Sequence, residues 1–169
     1  MSRLRAVRDD ALSLPSSSIY IMDSGMAAIL GATLDVRVQA CQRAIVLDVA
    51  TSHTVAASFD GDELCGFVEY HTRDISVDRM NLLVQKLADG QLDHKRVLAE
   101  GGHGAYTRRP LGFDSIGIIL ATGPRRALLT GSKLAIVPGA PLGDNMMTGT
   151  AGLLEAVRRR EGWTELPLG

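Results

Sequence analysis

The run Asp48-Val49-Ala50-Thr51-Ser52-His53-Thr54 carries the densest set of groups able to act on a ligand. A carboxylate leaving an apolar segment can hold Mg²⁺ or position a water. The small and hydroxyl residues after it can offer backbone N–H groups to phosphate oxygens. On this reading Asp48 is the catalytic carboxylate, and Thr51, Ser52, His53 and Thr54 form a phosphate-binding turn. A plain hairpin whose Asp, Ser and Thr side chains satisfy their own backbone accounts for the same residues.

Two later segments offer similar chemistry. Gly101-Gly102-His103-Gly104 places three glycines in four residues, which lets a backbone approach a nucleotide closely, or else marks a crossover loop. It is not G-x-G-x-x-G and no strand directly precedes it, so the dinucleotide fingerprint does not apply. Thr122-Gly123-Pro124-Arg125-Arg126 follows an apolar run and opens a helix. Ligands of open α/β sheets gather at such strand ends, where helix N-termini face anions. Thr122, Gly123 and Arg125 are therefore candidate nucleotide contacts, against the alternative of a strand–helix turn with two solvated arginines.

The four histidines fall in no H-E-x-x-H spacing, so spacing assigns no metal ligand. His53 and His71 lie near opposite ends of neighbouring strands' turns and His103 sits among the glycines. Only tertiary proximity can unite them. His94, on a polar helix, is expected to be solvated. There is no G-x-S-x-G elbow, and neither Cys41 nor Cys65 has a partner context for nucleophilic work.

The elements that must position these residues are legible from periodicity. Residues 1–18, ending in Leu14-Pro15-Ser16-Ser17-Ser18, read as a leader or linker before one domain over 19–169. Ile19–Met22 is a short candidate strand, and Asp23 or Ser24 caps a nearly all-apolar helix through Ala32. Ala44–Val49, Thr54–Phe59 and Leu64–Tyr70 read as three adjacent antiparallel strands, the last two joined at Asp60-Gly61-Asp62. Val77, Met80, Val84 and Leu87 recur at helical spacing between a Ser76 cap and a Gly90 stop. Asp93 starts a shorter helix with Val97 and Leu98. Ile116–Ala121 is a buried strand, followed by a helix over Ala127–Leu129 and a strand over Leu134–Val137. Asp144 or Asn145 caps a final helix that holds Met146, Met147, Ala151, Leu154 and Val157. Antiparallel strands first, then alternating helix and strand, predict an α/β fold with a mixed sheet and helices on both faces.

Composition narrows the function. The 169 residues suffice for one core, and a 46% hydrophobic, 22% charged chain is ordinary globular material. A net charge of −1 with scattered arginines argues against a nucleic-acid or membrane-surface partner. The absence of a signal sequence or long apolar run, with two cysteines, points to a reducing, cytoplasmic setting.

Together VLDVATSHTVAASFDGDELCGFVEYHT, GGHGAY, ATGPRRALL and GDNMMTGTAGLLEA resemble the second half of the actin-like ATPase superfamily, which holds sugar kinases, heat-shock ATPases and actin. More closely, they are similar to an uncharacterised prokaryotic family assigned to it and labelled pyruvate formate-lyase activating enzyme. The resemblance spans most of residues 19–160. It implies a ribonuclease-H-like three-layer fold, ATP with Mg²⁺ as ligand, Asp48 and Thr51–Thr54 as the second phosphate loop, and Thr122, Gly123 and Arg125 toward adenosine. Ala50 and Pro124 stand where the superfamily usually has glycine. No Asp-x-Gly-x-Thr loop precedes Asp48, so the chain resembles one lobe, with a missing N-terminal lobe or self-association as its expected partner. A radical enzyme of the activating type needs three cluster-ligating cysteines, which Cys41 and Cys65 cannot supply.

Three functions are therefore open. The first is a nucleotide-binding half-domain of an ATPase or kinase. The second is a non-catalytic interaction domain that keeps the fold, motivated by Ala50 and Pro124. The third is a metal-dependent hydrolase, which requires Asp48, His53 and His103 within about 4–5 Å of a common point.

Overall fold

The computed structural model describes residues 2–16 and 18–164. Its six strands are β1 (Arg43–Val49), β2 (His53–Asp60), β3 (Glu63–His71), β4 (Gly104–Thr107), β5 (Ile118–Thr122) and β6 (Ile136–Pro138). They form one sheet in the order β4-β3-β2-β1-β5-β6. β1 to β4 pair antiparallel in sequence, whereas β5 runs parallel to β1 and β6 parallel to β5. This is the mixed α/β sheet that the sequence pattern predicts, with β4 added beyond β3.

The helices are α1 (Ser2–Ala11), α2 (Ser24–Ala32), α3 (Val36–Gln39), α4 (Val77–Ala88), α5 (His94–Ala99) and α6 (Thr148–Glu161). Alternation along β1 explains the layers. Ile45, Leu47 and Val49 point to one face and join Val68, Tyr70, Met80, Val84, Leu87 and Val97, so α4 and α5 cover that side. Ala44 and Val46 point to the other face with Val55, Ala57 and Phe59, under Ile29, Ala32 and Val38 of α2 and α3. Both faces of β1 are buried, which is why it reads as an unbroken apolar run.

Capping is local and readable. Asp23, Ser76 and Asp93 each accept a hydrogen bond from a first-turn N–H of α2, α4 and α5, respectively. α6 packs on α2 instead of on the sheet, and Gly31 and Gly152 lie against the partner helix's backbone. A side chain at either position would collide with main-chain atoms. The two glycines therefore set how closely the helices approach.

Several elements depart from the pattern-based expectations. Ile19–Met22 is irregular, because its apolar side chains line surface cavities and pair with no strand. Ser2–Ala11, within the expected leader, is helical. Tyr106 belongs to β4, which the glycines ahead of it disguised as a break. Residues Arg126–Leu129 make a 3-10 turn, not a longer helix, and the final strand starts at Ile136 instead of Leu134. Met146 and Met147 lie in a 3-10 turn capped by Asp144, with α6 beginning one residue later. No helix among the described residues is long and apolar enough to cross a membrane.

Candidate functional site

Register builds the site. On the α2 side of the sheet, Asp48, Val55 and Glu69 are successive partners across β1, β2 and β3. Strands sit about 4.8 Å apart, so the two carboxylate-bearing positions lie about 10 Å from each other across Val55. Two residues further along, on the same face, His53 stands directly opposite His71. The His103 N–H then donates to the Glu69 carbonyl at 2.9 Å, which brings the residue before β4 up to the same corner.

All of these residues except His71 border a cavity of about 830 Å³, a size suited to a small ligand. Asp48, Val55 and Glu69 line it together with Ala50, Thr51 and Ser52 of the β1–β2 turn, and with His53 and His103. Asp23, Ser24 and Gly25 bring the N-terminal end of α2 to its wall, Pro124 adds a further wall, and Leu4 and Val7 of α1 lie at its border. Carboxylates and imidazoles are the ionisable groups of this lining among the described residues.

Asp48 is the electrostatic centre. It is 7% exposed, and no hydrogen bond to its carboxylate forms among the described residues. Burial alone pushes its pKa up to about 6. Gly123, at φ +91°, permits the close packing of the β5 end against it. A Cβ there would come within 2.7 Å of Asp48 Oδ1.

The sequence-predicted residues divide into two groups. Asp48, Thr51, Ser52, His53 and His103 meet at the cavity. Thr54 points to the opposite face, where its hydroxyl meets that of Thr72 at 2.9 Å, and Thr72 donates to the Ala50 carbonyl. That pair braces the β1–β2 turn from below. Thr122 is fully buried, 2.9 Å from the Thr148 hydroxyl, and so ties β5 to the start of α6. A Cβ at Gly102 would strike Tyr70 and Val97 and one at Gly104 would strike His94, while one at Gly101 would meet nothing within 4 Å. Arg125 is exposed and absent from the cavity lining.

Tertiary pairing unites histidines that no sequence spacing joins. His53 opens β2 and His71 closes β3, and the antiparallel register sets them directly opposite each other. With His103 they form a cluster whose potential ligand atoms all lie within 4.8 Å of one another. Asp48 does not belong to that cluster, so the trio Asp48–His53–His103 is replaced by His53–His71–His103. His94 is exposed, as expected, and its Nδ1 sits 3.2 Å from the Ala105 carbonyl oxygen. Sequence reasoning missed the cavity residues Glu69 and Asp23. The period-two spacing of Glu69 and His71 on β3 was the signal available for Glu69.

A β-sheet end with a buried carboxylate, an adjoining turn and a helix N-terminus gives this α/β fold a candidate ligand site. Residues 1–128 match the family described as "Putative pyruvate format-lyase activating enzyme (DUF1786)", and the chain belongs to that family. No curated protein matches the chain. The chemistry in the family's description does not fit the residues present. Cys65 is buried in β3 against the Glu63 carbonyl, Cys41 is half-buried beyond α3, and two thiols cannot ligate a cluster that needs three.

Proposed function

We propose that the cavity beside Asp48 binds a Mg²⁺-bound phosphate ester, with a nucleotide such as ATP the class implied by the resemblance to one lobe of an actin-like ATPase. One observation carries this reading. Asp48 is a buried carboxylate that no group among the described residues compensates, at the cavity wall where β1 and β5 end side by side. Burying an uncompensated acid is unfavourable, and a hard cation is the natural counter-charge for it.

The residues fit such a group. Asp48 would hold Mg²⁺, which would neutralise phosphate charge, a task no Lys or Arg among the described lining residues performs. Thr51 and Ser52 are exposed at the cavity and present hydroxyls and turn N–H groups to phosphate oxygens. The wall formed by Ser24 and Gly25 adds the positive end of the α2 dipole. Ala50 and Pro124, which stand where glycines are usual, both line the cavity, and it still has room for a ligand.

Titrating Mg²⁺-ATP by calorimetry and thermal shift tests the assignment. Saturable binding that needs Mg²⁺ and disappears in Asp48→Asn is the expected result. Heat changes indistinguishable between wild type and Asp48→Asn would reject it.

A further inference from the structure

We propose that His53, His71 and His103 form a binding site for one Zn²⁺ ion, with a fourth, exchangeable position at the wall of the Asp48 cavity. Three imidazoles converge here from three separate segments, with ring centroids 4.5, 4.7 and 5.0 Å apart. Backbone pairing enforces the convergence. The β2–β3 register sets His53 opposite His71, and the His103 N–H bond to Glu69 docks the third ring.

None of the three rings hydrogen-bonds to a protein group among the described residues, in contrast to His94 with its backbone partner. The ring nitrogens face solvent and are not sealed in the core, so they are open to an ion that enters from outside. A shared cation satisfies one nitrogen of each ring.

The donor chemistry selects the ion. Neutral imidazole nitrogens suit borderline divalent ions and not Mg²⁺ or Ca²⁺, which take oxygen ligands. Three histidines with one open position form a recurrent zinc arrangement. Tetrahedral Zn–N bonds of about 2.0–2.1 Å put ligand nitrogens about 3.4 Å apart. The observed spread of up to 4.8 Å closes by side-chain rotation, and His103 is exposed and flanked by Gly102 and Gly104. Entry is from solvent, because His53 and His71 are only half-buried. Glu69 sits two residues before His71 on the same face of β3, where a carboxylate can orient a ligating ring.

The site stands whether or not the Asp48 cavity takes a phosphate ester, and one set of variants separates the two. The experiment uses the full chain without a histidine tag, equilibrated with Zn²⁺ and assayed by elemental analysis and competition with a chromogenic chelator. Co²⁺ substitution then reports geometry by visible absorption. The expected result is one Zn²⁺ per chain and the strong absorption of four-coordinate Co²⁺. His71→Ala and His103→Ala should each weaken Zn²⁺ binding at least about 100-fold, since even indirect supports of a ligand are worth 10–100-fold. His94→Ala should bind as wild type. Asp48→Asn should keep Zn²⁺ while losing Mg²⁺-phosphate binding. His103→Ala changes an exposed residue and should retain the wild-type thermal transition. Substoichiometric zinc, equal affinity in the His71, His103 and His94 variants, or loss of zinc in Asp48→Asn would overturn the three-histidine site.

Discussion

Two acidic side chains are buried to similar degrees at different corners of this fold, and their surroundings are opposite. Glu155, 4% exposed on α6, receives hydrogen bonds from Arg158 and Arg159 at 2.6–2.7 Å, and these hold its pKa down to about 2. Asp48, 7% exposed on β1, has no such partner among the described residues and is pushed up to about 6. Glu155 belongs to a tightly built corner in which α2 and α6 meet backbone to backbone. Asp48 belongs to a corner where the cavity is open and neighbouring side chains are unpaired. A buried acid with complete partners serves the fold. One without partners costs stability that only a ligand can return.

Four predictions probe that contrast. Gly152→Val has the largest effect, because its side chain would strike the Ala27 backbone. Denaturant unfolding should show a loss of about 3 kcal/mol or failure to fold. A mild effect would mean that the α2–α6 corner is as loose as the cavity.

Asp48→Asn should move stability the other way. The raised pKa means that the folded state binds a proton more tightly than the unfolded chain. The contribution of Asp48 to stability is therefore most favourable below about pH 3.8 and declines as pH rises through about 6. Removing the charge should raise stability at pH 8 by about 2–3 kcal/mol and change little at pH 3.5. Urea midpoints at both pH values measure it, and an unchanged midpoint at pH 8 would erase the distinction between the two acids.

Glu155→Gln should lose about 1–2 kcal/mol at neutral pH, as two charge-assisted contacts weaken while the arginines stay partly solvated. The smallest effect is the acid limb. A depressed pKa contributes stability that is present above the usual pKa of 4.5 and lost as pH falls toward about 2. Wild type should therefore lose its advantage over Glu155→Gln in that window, read from melting temperatures between pH 5 and 2.

How far each corner was legible follows from what sets it. Alternation and caps are local, so β1 to β3, α2, α4 and α5 stand out from residues such as Ser76, Asp93 and the run Ala44–Val49. Asp48 was visible as a carboxylate ending an apolar strand. The His71–His103 contact depends on register and on an edge strand, β4, whose opening glycines imitate a loop. The close approach of Gly31 to Gly152 likewise depends on chain segments far apart in sequence. Ile19–Met22 misled because apolar residues covering a cavity share the composition of a strand.

The α2–α6 contact also bears on how the chain reaches this structure. Gly31 and Gly152 are more than a hundred residues apart, and β1 must wait for β5 across the whole antiparallel unit. Such distant pairings slow folding, since loop closure precedes any gain in contacts. During synthesis α2 therefore emerges long before its helical partner, its glycine face bare. That nascent intermediate, rather than the finished domain, is where this protein is most exposed to aggregation and to chaperones.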